Sequence, residues 1–174
     1  NIEINNINNV TPIKLALGHE NGEIYFNDMR SSNLNLASGG GYVSKNLIDK
    51  NFSYKVKITT LNDYFSSIKF NNDTSIFIKI DLEGYDFNAI FGATELINNY
   101  DCSIIFEFSK MIINNADYSP EKINTLIAKY NLKIYDIYGN SLSLMDLEKK
   151  IQQLDDDHET CGNYILTKKN LNFS

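Results

Sequence analysis

Cysteine, histidine, proline and positive charge are all scarce in this sequence, and each scarcity removes a class of protein. The 174 residues hold two cysteines, Cys102 and Cys161, too few for a disulfide scaffold or a cysteine-rich zinc module. The two histidines, His19 and His158, leave no room for a multi-histidine metal centre. Sixteen Lys+Arg stand against 22 Asp+Glu, giving a net charge of −6 and a pI near 4.9. Nucleic acid and anionic membrane surfaces both demand a basic footprint, so neither is expected as the main partner. No apolar run approaches the ~18–20 residues that cross a bilayer, so no transmembrane segment is expected. No basic-then-apolar leader is visible, and a cytoplasmic placement is the resulting expectation. Two prolines stand against 25 asparagines. The asparagine excess reads as the base-composition bias of an AT-rich genome, and Asn5-Asn6 or Asn71-Asn72 as turn or surface.

The composition is otherwise that of a globular chain, 43% hydrophobic and 22% charged. A domain of ~150 residues hides about 70% of its unfolded surface, so one core is affordable and residues 1–174 read as a single domain. There is no internal repeat and no linker rich in Pro or Ser. Residues 1–9 carry Ile2, Ile4 and Ile7 among polar neighbours and suit a short strand or a helix end. Thr11–Leu17 suits a strand closed at Gly18. Asn21-Gly22 is a hairpin dipeptide, with a second strand at Glu23–Phe26. Arg30–Ser44 reads as loop. Tyr54–Thr59 alternates like a half-buried strand, and Leu61–Ile68 reads as a short helix with Thr60 as its N-cap.

From Ser75 onward the pattern sharpens. Ser75–Ile80 (SIFIKI) is a nearly continuous apolar run, as in a strand buried on both faces. Phe87, Ile90, Phe91, Leu96 and Ile97 then recur at helical spacing through about Asn98. Cys102–Phe108 is a second buried strand. Ser119 and Pro120 open another helix, with a stripe of Ile123, Leu126, Ile127 and Tyr130. A strand at Leu132–Tyr138, a charged amphipathic helix at Leu144–Leu154 and a strand at Asn163–Thr167 complete the order. Strand–helix alternation of this kind predicts an α/β fold, helices on a mostly parallel sheet in three layers; the last two strands need not be parallel.

Ligands of open α/β sheets bind beyond the carboxyl ends of the strands. Two such ends carry acids: Asp81 and Glu83 after SIFIKI, and Glu107 at the end of CSIIFEF. Glu107 lies between Phe106 and Phe108, where a carboxylate costs free energy unless paired. Each is either an acid aimed into a cleft or a structural carboxylate held by backbone N–H groups. Gly84 permits a sharp turn at the strand end. Asp86 reads as a helix cap with Tyr85 packing before it, and Asp63 as a first-turn acid facing the helix dipole. The Gly39-Gly40-Gly41 run does not link a buried strand to a helix, so phosphate-cradle templates fail and it reads as loop. His19 reads as a surface loop residue, with a cleft-lining position as the alternative. His158, in the acidic run Asp155–Glu159, reads as solvated loop. Cys102 reads as a buried core residue, and Cys161 lacks a base near it in sequence.

The stretch Ile78–Ile97 resembles the FkbM family of S-adenosylmethionine-dependent methyltransferases. Lys79-Ile80-Asp81-Leu82-Glu83-Gly84-Tyr85-Asp86 is similar to the family's KIDVEGYE-like strand end, and Gly92-Ala93 sits where its GA dipeptide is expected. Ala16-Leu17-Gly18 with Gly22, Thr60-Leu61-Asn62-Asp63 (where Asn62 replaces the usual acid) and Cys102–Glu107 are weaker matches in the same order. The resemblance implies a Rossmann-like methyltransferase sheet and S-adenosylmethionine as cofactor. It implies methyl transfer to a hydroxyl of a small-molecule or sugar substrate. Ala16, Leu17, Gly18 and Asp81 are the implied cofactor-binding positions. Asp81 is the implied base or acceptor-orienting residue, with Glu83 and Glu107 as candidates to share that role or hold a metal; no metal is assigned. The family's glycine-rich cofactor loop and ribose-binding acid are not in the chain, which begins at Asn1. The resemblance therefore implies a sheet lacking its first strands, weak cofactor binding in isolation, and self-association as a homo-oligomer through exposed apolar edges. A non-catalytic accessory module binding a partner or glycan, or a domain fused to a glycan-assembly enzyme, are the alternatives.

Overall fold

The computed structural model describes residues 2–28, 41–71, 73–114, 117–153 and 161–171. Gly39, Gly40, His158 and the acidic run around it lie outside these residues. The described chain folds into two sheets. The smaller has the order β1-β4-β2-β3, built from β1 (Ala16–Leu17), β2 (Gly22–Asp28), β3 (Gly41–Ser44) and β4 (Ser53–Thr59). The helix α1 (Leu61–Phe65) follows. The larger sheet has the order β5-β6-β9-β7-β8, from β5 (Ser75–Lys79), β6 (Asp101–Ser109), β7 (Lys133–Asp136), β8 (Ser141–Leu142) and β9 (Cys161–Thr167). Between its strands run α2 (Asp86–Phe91), α3 (Thr94–Asn99), α4 (Lys110–Ile113), α5 (Pro120–Tyr130) and α6 (Leu144–Gln152).

The strand–helix alternation from Ser75 is present, but the mostly parallel sheet is not. Among the described residues only β5–β6 pair in parallel within the large sheet; β9 is inserted antiparallel between β6 and β7, and β8 is antiparallel to β7. The small sheet pairs β1 with β4 in parallel and β2 antiparallel to both β3 and β4. The Asn21-Gly22 turn therefore joins strands that β4 separates, and no hairpin forms there. Gly41–Ser44, expected as loop, is a strand because Val43 registers opposite Phe26. Gly41 leaves room for the Phe26 ring, which a Cβ there would meet at 2.2 Å.

The SIFIKI strand is not buried on both faces. Among the described residues β5 pairs only with β6, and Phe77 is 68% exposed. On β6, Cys102, Ile104, Phe106 and Phe108 are buried while Ser103, Ile105 and Glu107 between them are half-buried. One face of the sheet thus carries the core, with Phe87, Ile90, Ile123 and Leu147 upon it. The face of Phe77 and Glu107 is open to partly covered, so the described residues do not form the expected three layers.

The helix expected through Asn98 breaks at Gly92-Ala93. The Gly92 carbonyl accepts the Asn62 N–H at 2.8 Å. Asn62 then caps α3 from outside: its Oδ1 accepts the Glu95 N–H at 2.9 Å and its Nδ2 donates to Thr94 Oγ1 at 3.2 Å. Ala93, at the N-cap position, has no side chain to do this. An aspartate at position 62 would accept but not donate. Two expected caps are present: Thr60 accepts from the Asp63 N–H, and Ser119 from the Lys122 N–H with Pro120 in the first turn; Ser143 with Asp146 adds a capping box at α6.

Candidate active site

The chain leaves β5 through a tight turn. Ile80 N–H still bonds the Ile105 carbonyl at 2.8 Å, and Tyr85 N–H returns to the Leu82 carbonyl at 3.2 Å. The two central residues, Glu83 (φ 50°) and Gly84 (φ 94°), are both left-handed. Glycine bears this freely; a glutamate there carries a cost of about 1–3 kcal/mol, which persists only where the surroundings hold it.

This turn presents Asp81 beside the small sheet. A cleft of about 390 Å³ opens there, lined by Ala16, Leu17, Val43 and Val56 of the small sheet and by Asp81 and Leu82 of the turn. Asp81 is half-exposed at its rim, and Lys79 Nζ donates to its Oδ2 at 3.0 Å. Of the candidate cofactor positions, Ala16, Leu17 and Asp81 thus share one cavity. Gly18 does not line it. A Cβ on Gly18 would meet Ile58 Cδ1 at 2.6 Å and Tyr85 Cε1 at 3.2 Å, and its carbonyl lies against Gly92.

Glu107 and Glu83 are near neighbours in charge. The Glu107 carboxyl is pushed up by burial first, then by Asp81, Glu83 and Asp86, with Lys79 partly opposing. Asp86, expected as a helix cap, has a larger structural role. It is fully buried, and its two carboxylate oxygens accept the Leu82 N–H at 3.3 Å and the Glu107 N–H at 3.1 Å. Burial pushes its carboxyl up, against the pull of those two hydrogen bonds. The signal for this was an acid inside a run of buried residues, where only paired carboxylates are tolerated. Among the described residues, no group of three or more His, Cys, Asp or Glu is arranged to hold a metal ion.

The other singled-out residues take structural places. Asp63 accepts from Thr60 Oγ1 and Asn21 Nδ2, both at 2.7 Å, and these bonds hold its carboxyl below the usual range. The Cys102 thiol is buried, which pushes it up to about 11; Cys161 is exposed. His19 lines a second, larger cleft.

Among the described residues no helix is long and apolar enough to cross a membrane. A family model described as the methyltransferase FkbM domain matches residues 1–134. No curated protein and no solved structure matches the chain.

Proposed function

The chain belongs to the FkbM methyltransferase family, and on that premise we propose that it is an S-adenosylmethionine-dependent methyltransferase domain acting on a hydroxyl of a small molecule or sugar. The observation that carries this reading is the cleft that sets the Asp81 carboxylate against the apolar strand residues Ala16 and Leu17. Its walls fit the cofactor's chemistry: apolar surface for the adenosyl and thioether parts, a carboxylate for a polar contact. When bound, S-adenosylmethionine supplies an activated methyl group on a sulfonium. The protein's own task is then positioning and proton handling, since a hydroxyl is a weak nucleophile until it loses its proton. Asp81 orients the acceptor hydroxyl or takes its proton. Lys79 holds one oxygen of that carboxylate in place. Glu107 and Glu83 stand in the same acidic neighbourhood, where burial and the nearby acids push the Glu107 carboxyl up, and they are the candidates to assist.

The alternative is an accessory module with the same fold and no transfer activity. The Lys79–Asp81 ion pair favours it, because a carboxylate engaged by a lysine on its own strand end has a structural occupation already. Calorimetric titration of S-adenosylmethionine into this chain, and into one extended upstream of Asn1, separates the two. Saturable binding to either supports the methyltransferase reading; heat from neither leaves the accessory module standing.

A further inference from the structure

One side of the small sheet is apolar and, among the described residues, only partly covered. Phe26 registers opposite both Tyr54 and Val43, and Val56 lies two residues beyond Tyr54 on β4, so these four share a side. Ala16, opposite Ile58 on the same strand, joins them. Tyr85 packs on this side with Ile24 and Ile58, and Leu82 rests against that group. The uncovered part lines the Asp81 cleft. There the rings of Phe26 and Tyr54 stand 5.4 Å apart, tilted by 41°, and Tyr54 is 53% exposed. Such a ring pair offers flat apolar surface to a flat guest.

Polar groups are few on this lining. Besides Asp81, the described residues bring to it only Lys14 and the hydroxyl ends of Tyr42 and Tyr54 as polar side chains. A sugar carries several hydroxyls, and each one buried without a partner weakens its binding. A planar aromatic alcohol carries one, and Asp81 supplies one acceptor for it. Acidity points the same way. A carboxylate is a weak base, and a phenol, which ionises near pH ~10, yields its proton to one far more readily than an alkyl alcohol does.

Resting on the methyltransferase reading, we infer that the acceptor is a planar aromatic alcohol, its ring on the Phe26–Tyr54 pair and its hydroxyl at Asp81. In the transfer the phenol oxygen bonds to the methyl carbon, the carbon–sulfur bond breaks with its electron pair going to sulfur, and the phenolic proton passes to the Asp81 carboxylate. Fluorescence titration of the chain with 2-naphthol tests the site, and the sequence holds no tryptophan to interfere. Saturable binding is expected, at least tenfold tighter than calorimetry finds for methyl glucoside. Tyr54→Ser should weaken it about tenfold. Asp81→Ala should weaken it about fivefold and leave naphthalene, which lacks the hydroxyl, bound as before. Tyr138→Ser, at an exposed tyrosine outside the cleft lining, should bind like the parent. Circular dichroism checks that each variant is folded. No saturable 2-naphthol binding up to millimolar concentration, methyl glucoside binding as tightly, or folded Tyr54→Ser and Asp81→Ala proteins that bind like the parent would each overturn the inference. So would competitive displacement of 2-naphthol by S-adenosylmethionine, since the rings would then hold the adenine. S-adenosylmethionine is also titrated alone into this chain and into one extended upstream of Asn1. If it binds and 2-naphthol does not, the acceptor class falls and the methyltransferase reading stands. If 2-naphthol binds and S-adenosylmethionine binds to neither chain, that reading falls and takes the acceptor role with it.

Discussion

The carboxylate of Asp86 accepts the backbone N–H of Glu107 at 3.1 Å and that of Leu82 at 3.3 Å, so one buried side chain ties the tips of two neighbouring strands together. Asp86→Asn puts an N–H donor where an acceptor is needed and leaves one backbone donor unpaired, at a cost of about 1–3 kcal/mol. The pH dependence has a definite sign. Burial raises this carboxyl above its ordinary 3.8, so folding favours the protonated form. The stability contributed is full below about 3.8 and is lost as pH rises through the folded value. Relative to Asp86→Asn, the parent protein should therefore be most stable at the acid end and lose that margin toward neutrality. Urea unfolding of both proteins between pH 4 and 7, with a gap that widens upward instead, would contradict this account.

Gly92 and Gly18 meet backbone to backbone. A Cβ on Gly92 would lie 2.0 Å from the Gly18 carbonyl oxygen, whereas one on Gly18 meets chiefly the end of the Ile58 side chain. Main chain cannot step aside as a methyl group can. Gly92→Ala should cost about 3 kcal/mol and Gly18→Ala about 1 kcal/mol, within the range seen for overpacked sites. Thermal unfolding of the two variants checks the order; equal losses would refute it.

Asp81 is at the cleft rim and half-exposed, so Asp81→Asn should fold as the parent does. In the methyltransferase reading it lowers methyl transfer by about 10²–10⁴-fold, beyond whatever S-adenosylmethionine affinity it loses with the carboxylate contact. Undiminished transfer by a folded Asp81→Asn protein removes Asp81 from the chemistry. Glu107→Gln is the companion measurement, with a smaller loss expected from a residue that assists.

Phe77 is 68% exposed on an edge strand, a combination that invites pairing with another strand. Self-association through this edge is our proposal, and sedimentation velocity over a concentration series tests it. The parent should shift toward larger species as concentration rises, and Phe77→Lys should stay monomeric. A parent that remains monomeric throughout rejects the edge as an interface.

Much of the local order was readable because it is local. Thr60 and Ser119-Pro120 announce helix starts through hydrogen bonds that close within three or four residues. The acid-bearing turn after Ile80 was readable for the same reason: an apolar run stops and Gly84 permits the bend. What escaped depends on distant partners. Gly41–Ser44 becomes a strand only because β2 lies alongside, and the antiparallel insertion of β9 between β6 and β7 leaves no trace in either strand's own pattern. SIFIKI looks fully buried by composition, yet Phe77 lies open, since apolar content cannot tell a central strand from an edge. Asp81, Ala16 and Leu17, singled out from the sequence, line one cleft, whereas Gly18 packs beside Ile58 and Tyr85, and the two-strand tie made by Asp86 needed both strand ends in view.

Asn62 sits in one helix while fastening the start of another, and its own N–H holds the carbonyl of Gly92, the residue whose Cα faces the Gly18 carbonyl. The small sheet is thus joined to the acidic turn at two levels, by the main-chain approach of Gly18 to Gly92 and by the Tyr85 ring packed with Ile24 and Ile58. If the cleft beside Leu17 holds the proposed cofactor, this double joint fixes one of its walls, and the pocket selects by shape more than it adapts.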